Sequence, residues 1–258
     1  MARVILRLAP WISVAAVAIA WEAFARSGAV TPFMLPRFTV VVERIWSDAA
    51  SGDLWQNLGL TLYRSLLGFL LASFLGIGLG FAVSYNRFVR WLLDPLISVG
   101  FPMPKIAFLP IITLWLGFHD VSKISMVVFD AVFPVLTATL AATVAVEREL
   151  LWSARNLGAS RREILHEVVF PAALPQIMTG LQVALPIALI VCIVAEMKLG
   201  GVGLGGAMIT ASRFADSPGV FAGIIEIAIA GLAIVKGIAI IRRHLLVWHQ
   251  EAEDPTTV

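Results

Sequence analysis

Ionisable residues stand inside the long apolar stretches of this 258-residue chain, and they are the first candidates for chemistry. They are Asp94, Asp130, Glu196, Glu226 and Lys236, and Lys105 directly follows the sequence FPMP. A charge at the centre of a bilayer costs about 2.5–3.5 kcal/mol to insert, so such residues commonly bind or gate a solute or an ion. The acids are scattered, and neither HExxH nor GxxxxGK followed by Ser or Thr occurs in the chain. Passage of a solute is therefore predicted, with no metal site, no cofactor and no catalysis by this chain itself.

The elements that must position these residues are membrane-spanning helices. The chain is 59% apolar and 14% charged, with a mean hydropathy of +0.91, which is typical of polytopic membrane proteins. Runs long enough to cross about 30 Å of hydrocarbon occur at about 8 to 25, 62 to 85, 89 to 118, 122 to 143, 173 to 197 and 220 to 241. They are continuous rather than alternating, which favours helices over barrel strands. The predicted fold is an all-α, polytopic transmembrane bundle of about six spans.

The third run is too long for one straight crossing and contains FPMPK at residues 101–105. Pro102 and Pro104 remove backbone donors and should break the helix. Irregular backbone at membrane depth is tolerated where it is buried in protein or faces a water-filled path. Two interpretations remain open: Pro102, Pro104 and Lys105 line a pathway, or the break is a packing kink from which Lys105 reaches an interface.

A polar, basic passage, SARNLGASRREILHEVVFPAALPQI at residues 153–177, has the pattern of two short amphipathic helices. The apolar face of the first helix, predicted over 149–157, would comprise Leu150, Leu151, Ala154 and Leu157. Gly158 should end this helix in the left-handed conformation.

The second helix of this passage should begin at Arg161. Ser160 and Glu163 have the spacing of a capping box, in which each residue satisfies a backbone N–H of the other. The helix is predicted to stop before Pro171. We call residues 149–170 the elbow.

The elbow has two physical interpretations. Its arginines could hold it along an anionic lipid surface. A surface helix does not need a glycine stop and a new cap in its middle, however, whereas a compact protruding unit suits the groove of a partner protein.

The elbow resembles the EAA motif of membrane subunits of ATP-binding-cassette (ABC) importers, in which Glu-Ala-Ala is followed by a glycine and a later Leu-Pro. Aligned on Gly158, the chain matches at Ala154 and Pro171 and has Trp152 and Ser153 in place of Glu-Ala. Similarity to the branch serving nitrate, taurine and aliphatic sulfonates extends over roughly 35 to 248. Its main segments are 92 to 118, 121 to 136, 157 to 185 and VAEM at 194 to 197.

This resemblance implies a type I ABC importer permease (MetI-like) fold and a set of partners. It implies a homodimer, two ATPase subunits that bind ATP and Mg, and a periplasmic or lipid-anchored binding protein. Residues assigned to ATPase coupling are Ala154, Arg155, Leu157, Gly158, Ala159, Arg161, Arg162 and Pro171. Residues assigned to the pathway or gate are Pro102, Pro104, Lys105, Asp130 and Glu196. Asp130, where the family more often has a small residue, could equally bond a neighbouring helix.

The expected location is the bacterial inner membrane. Lys and Arg are more frequent at the span ends that share a side with the elbow, which predicts a cytoplasmic elbow and cytoplasmic N- and C-termini. The predicted organisation is a first span with an outer amphipathic connection (1–60), a core carrying the coupling helices (61–243) and a cytoplasmic tail (244–258). The net charge of +2 gives no reason to expect nucleic acid as a partner.

The transported solute is left open by the residues. Nitrate, taurine or an aliphatic sulfonate is expected from the resemblance, and a pyrimidine or riboflavin-like precursor is the alternative. An ion-coupled secondary transporter is a distant alternative, because the paired carboxylates and internal repeats typical of that class are not evident.

Overall fold

The structure is a computed structural model that describes residues 2–248, with side chains described from Ile12 onward. In this part of the chain all regular structure is helical. The α-helices are α1 Ala2–Arg26, α2 Phe38–Ser51, α3 Asp53–Tyr85, α4 Arg87–Gly100, α5 Leu109–Leu116, α6 Asp120–Val144, α7 Arg148–Asn156, α8 Arg161–Glu163, α9 Phe170–Leu199, α10 Leu204–Arg213 and α11 Ser217–Leu245. A 3₁₀ turn covers Lys105–Phe108, and a π-helical segment covers Ile164–Val169. Most of the predicted tail, from residue 249 on, lies outside the described residues.

The predicted spans are largely confirmed. Within the described residues, α3, α6, α11 and the continuous helix Arg161–Leu199 are each long and apolar enough to cross a membrane. The third predicted run is a bent pair, in which α4 and Lys105–Leu116 meet at 96°. The first run falls on α1, which begins outside the residues with described side chains, so its role as a span stays a prediction.

The chain forms two compact units. The first contains the chain up to Leu60 together with Glu196–Ala230, and the second contains Thr61–Ala195 and the chain from Gly231 onward. Three helices, α3, α9 and α11, contribute to both units because each continues across a unit boundary.

Close packing of α3 against α6 forms part of the core of the second unit. A Cβ atom built on Gly76 would lie 2.8 Å from Cβ of Val135, and one built on Gly80 would lie 2.6 Å from Cβ of Thr139. Nothing lies within 4 Å of the equivalent position on Gly78. These glycines therefore allow two helices to approach closely, as small residues do in membrane bundles. Gly76 and Gly80 are four residues apart and therefore lie on the same face of α3, the one packed against α6.

Within the first unit, Trp21 contacts residues of α2 and α11. Its ring centroid lies 5.6 Å from that of Phe38 and 5.3 Å from that of Phe221, and its Nε1 donates to the carbonyl of Pro36 at 2.9 Å. The amphipathic helix predicted in the outer connection is α2. Only part of the apolar face of α2 is buried: Val41 is buried, whereas Trp46 on the same face is 77% exposed.

Candidate functional site

The elbow is a sharp turn between two helices, as its sequence predicts. Helix α7 ends at Asn156, and Gly158 adopts φ +85°, in the left-handed region that glycine favours. The N–H groups of Gly158 and Ala159 donate to the carbonyls of Arg155 and Ala154 at 3.0 Å each. The turn thus satisfies carbonyls that a helix end would otherwise leave open.

The predicted capping box opens the second half of the elbow. The N–H of Ser160 donates to Oε2 of Glu163 at 2.6 Å, and the N–H of Glu163 donates to Oγ of Ser160 at 3.3 Å. A reciprocal cap of this kind holds the start of a helix in one orientation. The turn is therefore held on both sides of Gly158.

The prediction that the second helix stops before Pro171 is wrong. The chain continues without interruption from Arg161 to Leu199, through the π-helical segment Ile164–Val169. There the N–H of Phe170 bonds to the carbonyl of Leu165, five residues back. This wider turn accommodates Pro171, whose ring would clash with the carbonyl four residues back in a regular α-helix. The second half of the elbow is thus the first part of a membrane-spanning helix rather than a separate segment.

An apolar cluster attaches the elbow to the second unit. Its buried members are Val146, Ile164 and Val169. Packed against it are Phe81, Leu151, Ala154, Ala159 and Leu165. Two residues assigned to coupling, Ala154 and Ala159, therefore face this cluster and support the turn from inside.

Other predicted coupling residues face outward. Leu157 is 88% exposed, and Gly158, Arg155, Arg161 and Arg162 are exposed around it. The expectation that Leu157 lies on the inward apolar face of α7 is wrong, because α7 ends at Asn156 and Leu157 is its C-cap, directly before Gly158. Pro171 is exposed where α9 begins.

An aromatic pair adds a contact that sequence periodicity did not indicate. Phe81, near the end of α3, stacks on Phe170 with ring centroids 6.0 Å apart and planes at 27°. Phe81 also packs on a second buried cluster, formed by Ala142, Ala173 and Ile177. A movement of the elbow would therefore displace α3 and α6 as well as α9.

The structure brings two of the predicted pathway residues together. Lys105 Nζ lies 3.2 Å from Oδ1 of Asp130 on α6, and it donates to the carbonyl of Phe101 at 3.2 Å. It also lies 4.8 Å from the ring centroid of Phe133. Lys105 is only 6% exposed, so it is buried in protein and does not extend to an interface. Pro102 and Pro104 form the bend that places it there.

Glu196, the remaining predicted pathway residue, belongs to the first unit. It is fully buried, and its Oε2 accepts from the N–H of Gly205 at 3.1 Å. The carboxylate thereby holds the first turn of α10, a position that suits a negative charge. Its role in a gate stays a prediction.

Comparison with known proteins identifies the class to which this geometry belongs. Residues 68–246 match the family described as binding-protein-dependent transport system inner membrane component. The taurine transport system permease protein of Escherichia coli strain K12 is 33% identical over 238 residues, which cover 90% of this chain and 86% of that protein. A Bacillus subtilis strain 168 protein named as an aliphatic sulfonates transport permease is 32% identical over 233 residues, covering 90% of this chain and 84% of that protein.

A solved structure has the same fold. It is the crystal structure of a bacterial ABC transporter involved in the import of the acidic polysaccharide alginate. One of its chains superimposes with a TM-score of 0.65 at 16% identity, covering 95% of this chain and 98% of that one. At this identity the likeness concerns the fold alone.

Proposed function

Because the chain belongs to the family of binding-protein-dependent transport system inner membrane components, as the permease subunit of an ABC importer, we propose that it imports a small organic sulfonate. We also propose that its ATPase subunits drive transport by binding the elbow. The permease itself is not catalytic, and the ATPase is a separate subunit. The single observation that carries the coupling role is the exposed Leu157 on a firmly held turn.

The sulfonate class is supported by relatives with similar coverage from two distant bacteria. The names of both relatives refer to sulfonates, because taurine is an aminoethanesulfonate. The sulfonate group of such solutes is strongly acidic, so this group carries a negative charge at every physiological pH.

The coupling role is supported by the contrast between the two sides of the elbow. Inside, Ala154 and Ala159 pack on a buried cluster. Outside, Leu157 protrudes, with Arg155, Arg161 and Arg162 exposed around it. An apolar centre surrounded by a polar rim is the usual arrangement of a protein–protein interface.

The mechanism follows from the continuity of the helix. ATP-driven closure of two ATPase subunits would move the elbow as a rigid body. Since Arg161–Leu199 is one helix, that displacement passes directly into a span. The Phe81–Phe170 stack would transmit part of it to α3. Access to a central path formed with a second copy would thereby depend on nucleotide.

The partners and topology complete the proposal. The excess of Lys and Arg on the side of the elbow supports a cytoplasmic position for the elbow and both termini, where the ATPase subunits would bind. A binding protein would deliver the solute on the opposite side.

The test is a ligand screen on the whole system. The permease would be purified together with its ATPase subunits and its binding protein, and the complex would be reconstituted in liposomes. We expect ATP-dependent uptake of taurine or ethanesulfonate. Uptake of nitrate or riboflavin, with none of either sulfonate, would overturn the substrate assignment and leave the importer assignment intact.

A further inference from the structure

A groove in the second unit lies beside the break in the third predicted span. It has a volume of about 350 Å³, within the range of small-molecule sites. Its walls are formed by Phe101 at the break, by part of α6 and by part of α9. All of the residues that line it belong to the second unit, so the groove is a feature of that unit alone.

The groove lies along the membrane-spanning parts of α6 and α9. Gly180 approaches α6 closely: a Cβ atom built on it would clash with Cβ of Ala138 and lie 3.3 Å from the carbonyl oxygen of Pro134. Pro134 stands near the middle of α6. Gln176, which also lines the groove, precedes Gly180 by about one turn, or about 6 Å along the helix axis. The side chain of Gln176 is therefore attached within the predicted span at 173 to 197.

Gln176 carries hydrogen-bond donors that the fold leaves unused. Its side chain is exposed, and its amide forms no hydrogen bond within the described part of the chain. The two hydroxyl groups on the same walls are engaged. Thr137 donates to the carbonyl of Phe133 at 2.9 Å, and Thr179 donates to the carbonyl of Pro175 at 3.1 Å. The amide of Gln176 is therefore the group on these walls that can donate to a solute.

A second glutamine in the same helix has a structural role instead. Gln182 is half-buried, and its Oε1 accepts a hydrogen bond from Nη1 of Arg242 on α11. This contact joins two helices of the unit. The described residues give Gln176 no comparable contact.

An exposed amide without a partner needs a polar environment at this depth. Transfer of an unbonded amide from water to hydrocarbon costs about 4–8 kcal/mol. An interface with a second copy that left the amide unpaired would cost about 1–3 kcal/mol. A water-filled path avoids both costs, and it leaves two N–H groups available to a solute.

We propose that Gln176 lines the solute path and donates its amide N–H groups to the sulfonate oxygens of the passing solute. This proposal rests on the proposed function, because the sulfonate group supplies the acceptors. A single amide binds an anion less tightly than a buried lysine or arginine would. Such moderate binding suits a site that the solute must leave as well as enter.

The experiment uses the reactivity of an introduced cysteine. The chain has one natural cysteine, Cys192, which is fully buried. Gln176→Cys would be reconstituted in liposomes with its ATPase subunits and treated on both sides with sulfonatoethyl methanethiosulfonate, an anionic reagent that does not cross lipid. The thiolate forms a disulfide with the ethylsulfonate part of the reagent, and methanesulfinate leaves. We expect labelling of Gln176→Cys and none of the control Phe74→Cys, whose apolar site on α3 is 79% exposed and does not line the groove.

Protection from labelling then tests the contact with the solute. In the resting complex, without ATP or binding protein, excess taurine or ethanesulfonate should slow labelling of Gln176→Cys severalfold. Ethanolamine, which has no sulfonate group, should not. Absence of labelling would overturn the proposal, since Gln176 would then face lipid or a second copy. Labelling that no transported solute slows would overturn it as well. If nitrate or riboflavin is taken up and slows labelling while the sulfonates do neither, the sulfonate assignment is wrong and the position of Gln176 on the path stands.

Two leucine variants separate a solute contact from a structural role. Gln176→Leu should lower ATP-driven taurine uptake about tenfold, the usual effect of losing a hydrogen bond to a charged group. It should leave the melting temperature of the complex unchanged. Gln182→Leu is the matched control, since it removes the acceptor of Arg242 and should lower the melting temperature. A lower melting temperature for Gln176→Leu, or loss of its association with a second copy, would show a structural role and overturn the proposal.

Discussion

The ammonium of Lys105, in the turn that breaks the third predicted span, forms an ion pair with Asp130 on α6 at 3.2 Å. Each of these residues carries a charge that is costly in a membrane, and the fold brings them together. The bend between α4 and the 3₁₀ turn makes this contact possible, because it directs the chain back towards α6. Sequence left both residues as candidates for a pathway without indicating that they meet.

Removing one partner of this pair should be more damaging than removing both. Asp130→Leu leaves Lys105 buried without a counter-ion, which typically costs about 3–5 kcal/mol. We expect a lower melting temperature of the purified complex and a lower yield of protein in the membrane. The double variant Lys105→Met with Asp130→Leu should recover most of the stability, and failure to recover any would show that the pair does not hold the bend.

The left-handed conformation of Gly158 should be essential for coupling. Gly158→Val introduces a β-branched side chain at φ +85°, at a cost of about 1–2 kcal/mol or more. We expect normal insertion into the membrane and loss of the ATPase subunits on co-purification. Gly78→Val is the matched control, since Gly78 is helical and has open space around its Cβ position. Normal ATPase stoichiometry in the Gly158 variant would contradict the coupling role.

The protruding Leu157 should contribute more to ATPase binding than an equally exposed leucine elsewhere. Leu157→Ala should weaken association by about 2 kcal/mol, as truncation of a hot-spot anchor does, without lowering thermal stability. Leu114→Ala on α5 is the control, because Leu114 is 82% exposed. Titration of ATPase subunits onto reconstituted permease measures the difference, and matching affinities for the two variants would exclude Leu157 as the anchor.

The glycine contact between α3 and α6 should be intolerant of larger side chains. Gly76→Val would place its Cβ 2.8 Å from that of Val135 and 3.0 Å from the carbonyl of Val132, so the helices must separate. Overpacking of this kind typically costs about 1–3 kcal/mol. Thermal unfolding in detergent should show the loss for Gly76→Val and little change for Gly78→Val. Equal stability of the two variants would mean that α3 and α6 do not pack through this face.

The elbow shows which structural features can be predicted from local sequence patterns and which cannot. Gly158 and the Ser160–Glu163 capping box were predicted from residue types and spacing alone, because turns and caps are formed by residues close in the chain. The same reasoning was wrong about Pro171, since it took the proline as a stop. A π-helical turn depends on how the preceding segment packs, and that packing is not encoded in the proline itself.

What the sequence by itself determined is therefore the helical membrane fold, most of the spans, the break at residues 101–105 and the geometry of the elbow turn. Each of these follows from hydropathy or from the backbone preferences of neighbouring residues. Only the tertiary structure decided which side of the elbow is buried, that Lys105 meets Asp130, that Phe81 stacks on Phe170, and that Gln176 lines a groove. Lys105 and Asp130 are 25 positions apart and Phe81 and Phe170 are 89 positions apart. Contacts of this kind are chosen by the packing of whole helices rather than by any local pattern.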